Sequence, residues 1–141
     1  GKLQNMGYEA EDIAKSIARR DNAQVIPTGA TAQNILGLST QVPMNAVFIT
    51  SGSARIIKLG SRTITFRRAV PKNFAVQGRY TSLIVQALKS IGEENFSEDD
   101  FIHIQDIILR HPEPDTIEQD IAVMPSWIRK IFVRTLKTSK Q

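Results

Sequence analysis

Between Asn22 and Gly92 the sequence contains no aspartate and no glutamate, yet it carries Arg55, Lys58, Arg62, Arg67, Arg68, Lys72, Arg79 and Lys89. Positive charge with no carboxylate beside it repels itself, so the pattern points to an anionic surface that meets this block. Five of these eight cations are arginines, whose planar fork suits phosphate or carboxylate better than a lysine ammonium does. The same block lacks the carboxylates that general acid–base catalysis and hard-metal binding use. The chemistry it offers is therefore binding, weighed against the plain alternative of a solvated basic face.

Elsewhere the reactive inventory is thin. His103 and His111 are the only imidazoles and there is no cysteine, so a coordination shell is hard to assemble and structural or solvent-exposed histidines are expected. No phosphate-binding glycine loop and no nucleophile-elbow pattern occurs. Gly52-Ser53 and Gly60-Ser61 faintly resemble the opening of a nucleotidyltransferase site, but no aspartate pair follows to hold magnesium. Both pairs are read as turns. Residues 93–120 hold ten carboxylates against Arg110 alone. That set would serve a metal-dependent nuclease in principle, and a solvated acidic face in the ordinary case. The expectation is no enzyme activity, no cofactor and no metal.

The elements that position the cations follow from periodicity. A chain of 141 residues with 41% hydrophobic content is the size of one domain with a real core. Absence of cysteine fits a reducing compartment, no apolar run approaches the roughly 18–20 residues of a membrane span, and a cytoplasmic protein is expected. Residues 8–20 pattern as a helix, Gln24 to Ile26 as a short extended piece, and Thr28 is placed to cap a helix that runs to Leu36 and stops at Gly37. Three strands are expected at Ala46 to Thr50, Arg55 to Leu59 and Arg62 to Arg67. A Gly60-Ser61 type II′ turn sets Leu59 opposite Arg62, Ile57 opposite Ile64 and Arg55 opposite Phe66. Ile56, Lys58, Thr63, Thr65 and Arg67 then share the other face, while Arg62 sits at the turn. Phe66 and Phe74 are read as core residues.

Further along, residues 79–91 read as a helix ended by Gly92, Ser97 caps the next, and the His111 to Pro114 run breaks it. A short acidic helix is expected over Thr116 to Val123, and Pro125 opens a last amphipathic helix whose Trp127, Ile128, Ile131, Phe132 and Leu136 stripe is expected to pack on the core, a membrane-surface or partner-groove helix being the alternative. The fold class expected is α+β: a three-stranded antiparallel meander packed against helices, with a helical C-terminal extension. Residues 1–141 form a single domain, 8–92 its basic mixed core and 93–141 the extension, with Gly92 as the candidate seam.

The run Pro27 to Pro43 (PTGATAQNILGLSTQVP), followed by Ala46 to Thr50 (AVFIT), Arg62 to Arg67 (RTITFR) and Pro71-Lys72-Asn73, resembles a family of uncharacterised bacterial proteins related to AbiEi-type antitoxins of type IV toxin–antitoxin systems. The likeness covers about residues 8–92 and names no catalytic group. It implies that the chain corresponds to the C-terminal domain of a regulator whose N-terminal winged helix-turn-helix binds operator DNA. It also implies that this domain serves the antitoxin function beside a nucleotidyltransferase-like toxin. Arg55, Lys58, Arg62, Arg67, Arg68, Lys72 and Arg79 are the candidate nucleic-acid or partner contacts. The alternative is a free-standing nucleic-acid-binding protein that uses the basic hairpin, a reading in which affinity falls steeply with salt.

Overall fold

A computed structural model describes residues 6–139, except the side chains of residues 6–8 and 139. Among the described residues six α-helices and four strands follow in the order α1 (Met6–Arg20), β1 (Val25–Pro27), α2 (Gly29–Ile35), β2 (Asn45–Thr50), β3 (Arg55–Leu59), β4 (Arg62–Arg68), α3 (Arg79–Ile91), α4 (Glu98–Arg110), α5 (Ile117–Ala122) and α6 (Ser126–Ser139). The class is α+β.

The sheet corrects the expected meander. It has four strands in the order β1-β2-β4-β3, and β2 runs parallel to β4 and not antiparallel to β3. The hairpin itself has the register that the Gly60-Ser61 turn demands: Arg55 opposes Phe66, Ile57 opposes Ile64 and Leu59 opposes Arg62. Gly60 has φ +62°, which suits the first central position of a type II′ turn. The hairpin enters the sheet with β4 innermost, and the reason lies in its side chains. β4 turns Ile64 and Phe66 into the core, where Phe66 lies across from Phe48 of β2 with ring centroids 5.9 Å apart. β3 carries Arg55, Lys58 and the exposed Leu59, and charge is tolerated at a sheet edge. Ser51 to Ala54 has only to cross two strand spacings, about 10 Å, within the reach of four residues.

One face of the sheet is covered by α1. Ala10 and Ala14 pack with Ala46, Phe48, Ile64 and Phe66, and Ile13, Ile17, Val25 and Ile57 border them. A second cluster joins α2, α3, α4 and α6 around Leu83, Ile84, Leu88, Ile104, Ile128 and Phe132. Thus α3 belongs with the C-terminal helices, and the packing boundary does not fall at Gly92. The last helix buries its Ile128, Ile131 and Phe132 stripe as expected. Arg129 donates to the carbonyls of Ile121, Ala122 and Met124, tying the end of α5 to α6.

Carboxylates from the acidic segment fasten the start of α3 to the C-terminal helices. The first turn of α3 has no acidic residue of its own, and a helix N-terminus leaves N–H groups without intrahelical partners. Asp120, fully buried, accepts from the N–H groups of Gln77 (2.7 Å) and Gly78 (2.9 Å). Glu113 accepts from Tyr80 N–H (3.2 Å), Thr81 N–H (2.9 Å) and the Thr81 hydroxyl (2.7 Å). Negative charge is favoured at this end of the helix dipole. Gly78 is where the approach is closest, since a Cβ there would lie 2.6 Å from Glu113 Oε1.

Candidate docking face

The face of the sheet turned away from α1 is built by alternation. Because side chains on a strand switch sides at each residue, the residues between the core positions of β2, β3 and β4 line up in rows. Asn45, Thr63 and Lys58 form one row, and Val47, Thr65 and Ile56 the next; Ile26, Ile49 and Arg67 form the third. No strand residue is a carboxylate. Ile56 is 66% exposed, whereas Val47, Ile49 and Thr65 are half-buried. Lys58 and Arg67 are exposed and stand diagonally across this centre, about 14 Å apart at the backbone by strand geometry. The Asn45 carboxamide oxygen accepts from the hydroxyls of Thr63 (2.8 Å) and Thr65 (2.7 Å), so the polar part of the face is internally ordered.

One border of the face is the start of α2. Thr28 occupies the N-cap position of this helix as expected, but its hydroxyl does not cap it and donates to Val47 O at 3.0 Å, while Val47 N–H donates to the Thr31 hydroxyl at 3.1 Å. β1 is only three residues long, and these threonines satisfy β2 where β1 has ended. Between them and the sheet lies an open hollow of about 340 Å³, lined by Thr28, Thr31, Asn45, Val47, Thr65 and Arg67 among others.

The seven candidate cations are not brought together, and three change meaning. Arg55 donates to Asp21 at 2.9 Å, a carboxylate at the end of α1. Arg79 grips Glu11 of α1 through two bonds, 2.9 and 3.0 Å, and Glu11 is almost wholly buried. Arg62 flanks the turn as expected, opposite Leu59, but its side chain is not on the open face. It shares the core-side parity of Ile64 and Phe66, is buried, and donates to Pro43 O at 3.3 Å. The charge block thus borrows carboxylates from α1, which lies outside the stretch that lacks them. Arg68 is exposed but has the parity of the α1-side face, opposite Thr50. Lys72, on a short 3-10 turn, lines a small recess beside Lys89 of α3. Lys58 and Arg67 are the two that share the open face.

Other candidates resolve structurally. His111 stacks on Tyr80 with centroids 3.8 Å apart, and His103 is exposed on α4. Among the described residues no group of three or more histidines and carboxylates is arranged to hold a metal ion. Phe66 and Phe74 are buried as read. Among the described residues no helix is long and apolar enough to cross a membrane.

Fold and face together define a small α+β protein whose outer sheet face exposes Ile56, Lys58 and Arg67 and whose strands carry no carboxylate. The chain belongs to DUF6088, a family of unknown function, whose model matches residues 2–117. The match runs past Gly92 through the segment that supplies Glu113. Comparison with curated proteins gave no match, and comparison with solved structures gave none.

Proposed function

We propose that this chain is a non-enzymatic binding module of the antitoxin type, whose outer sheet face docks against an acidic protein surface. The observation that carries the reading is the exposed Ile56, set among Val47, Thr63 and Thr65 and flanked diagonally by Lys58 and Arg67, on strands without a carboxylate. Interfaces of this kind have an apolar centre and a polar, charged rim, and charge complementarity steers the encounter. A phosphodiester backbone would use the cations but gain little from an aliphatic centre. The aromatic rings on which single-stranded bases stack are turned inward here, at Phe48 and Phe66.

The resemblance to AbiEi-related proteins supplies the partner: a nucleotidyltransferase-like toxin, with the acidic surround of its metal site as the natural counterpart of Lys58 and Arg67. In the intact regulator the same module assists operator DNA binding. Co-expression of the full-length protein with the toxin encoded beside it is expected to rescue growth, and Lys58→Glu with Arg67→Glu is expected to abolish rescue. Absence of rescue by the unaltered protein counts against the antitoxin reading.

The exposed cations of the hairpin, Lys58, Arg67 and Arg68, favour a second reading, free-standing nucleic-acid binding. Its signature is an affinity that falls with salt with a slope of about −0.9 per neutralised phosphate of duplex DNA. A flat salt titration removes it.

A further inference from the structure

α4 presents an outward stripe that mirrors the sheet face with the opposite charge. Its inner side, Phe101, Ile104, Ile107 and Ile108, is buried and packs toward α6 and α3. On the outer side Ile102 is 62% exposed and Leu109 45%. Seven residues separate them, so they share one helix face, with Asp99 and Asp106 exposed alongside. Asp106 also bonds Arg110 at 2.7 Å. An aliphatic pair beside Asp99 and Asp106 and an aliphatic centre beside Lys58 and Arg67 are complementary in charge.

We propose that the chain associates with a second copy of itself head to tail, the outer stripe of α4 on one copy lying across the outer sheet face of the next. A helix laid on an open sheet face is the ordinary way that such a layer is completed. The dimensions agree: α4, with 13 residues, is about 20 Å long, and the five to seven residues of β3 and β4 span about 17–23 Å. Charge selects the pairing. Sheet on sheet sets Lys58 and Arg67 against their own kind, and α4 on α4 sets Asp99 and Asp106 against theirs; only the mixed contact places Ile102 and Leu109 against Ile56 with opposite signs around them. Such a contact uses two different patches, so it propagates unless its rotation closes a ring. With few residues on each side it belongs to the weak, transient class, and it is weakened by salt. A second copy would occupy the face assigned above to the toxin, although self-association stands whether or not a toxin binds there.

Sedimentation velocity on the unaltered chain and two variants tests this. One variant, Ile56→Ser with Lys58→Glu, spoils the sheet face; the other, Ile102→Ser with Asp106→Lys, spoils the stripe. All four positions are exposed, and circular dichroism checks that both variants fold. The unaltered chain is expected to show concentration-dependent association at low salt that fades at high salt, and each variant alone to stay monomeric. An equimolar mixture of the variants retains one intact face of each kind and is expected to form a one-to-one pair. A monomeric unaltered chain at high concentration and low salt overturns the proposal, as does association by either variant alone or a mixture that stays monomeric.

Discussion

Asp120 and Glu113 show what a single carboxylate can hold in this chain. Each takes two backbone N–H groups at the start of α3, across 32 to 43 residues of sequence. Truncating Asp120 leaves buried donors without partners, which costs about 1–3 kcal/mol. Asp120→Ala should therefore lower the urea midpoint clearly, while Glu118→Ala, on an exposed residue of the same helix, should stay within about 0.5 kcal/mol. Gly78→Ala should also destabilise, because the new methyl would meet Glu113 and Asp120. Arg79→Ala removes both bonds to the buried Glu11 carboxylate, leaving Lys15 at 3.8 Å. Loss of charged hydrogen bonds of this kind is worth about 1–3 kcal/mol, and equilibrium unfolding measures it. None of these roles was legible in the sequence. Ten carboxylates in a row of helices read as solvated faces, since the N–H groups they satisfy lie far away in the chain and leave no periodic mark. Arg55, Arg62 and Arg79 leave no sequence mark of their partners for the same reason: these are Asp21, the Pro43 carbonyl and Glu11.

At the scale of elements, local signals carried well and pairing between distant strands did not. Gly60-Ser61 determined the hairpin register, and Ser97 makes the capping box with Asp100 in both directions. Ser97→Ala should cost about 1 kcal/mol, read by thermal or chemical unfolding. The periodicity of residues 79–91 produced α3 with the expected limits. The order β2-β4-β3 was not readable, because neighbours in sequence usually pair in space. What decided otherwise is long-range: two phenylalanines, Phe48 and Phe66, packed over Ala10 and Ala14. Phe48→Ala should remove about 3–5 kcal/mol, enough to threaten the folded state of a marginally stable domain. The rows of the open face were readable, since the hairpin register alone places Ile56, Lys58, Thr63, Thr65 and Arg67 on one side. The contribution of β2 to that face, Asn45, Val47 and Ile49, needed the parallel pairing.

Over the whole molecule, charge is segregated: a basic sheet region, an acidic stretch at 93–120 and a basic C-terminal helix, for a net +4. Part of that segregation is structural, as the Arg55–Asp21 and Arg79–Glu11 pairs and the Asp120 clasp demonstrate. The remainder on the sheet, Lys58 and Arg67 around Ile56, makes no ion pair among the described residues, and the proposal above gives it to a partner. The most direct test is calorimetric titration of the chain with the purified protein encoded beside it, using the unaltered sequence, Lys58→Glu with Arg67→Glu, and Arg68→Glu with Lys72→Glu. The account predicts binding by the unaltered chain and by the Arg68/Lys72 variant, and none by the Lys58/Arg67 variant at equal fold stability. Undiminished binding by the Lys58/Arg67 variant would contradict it.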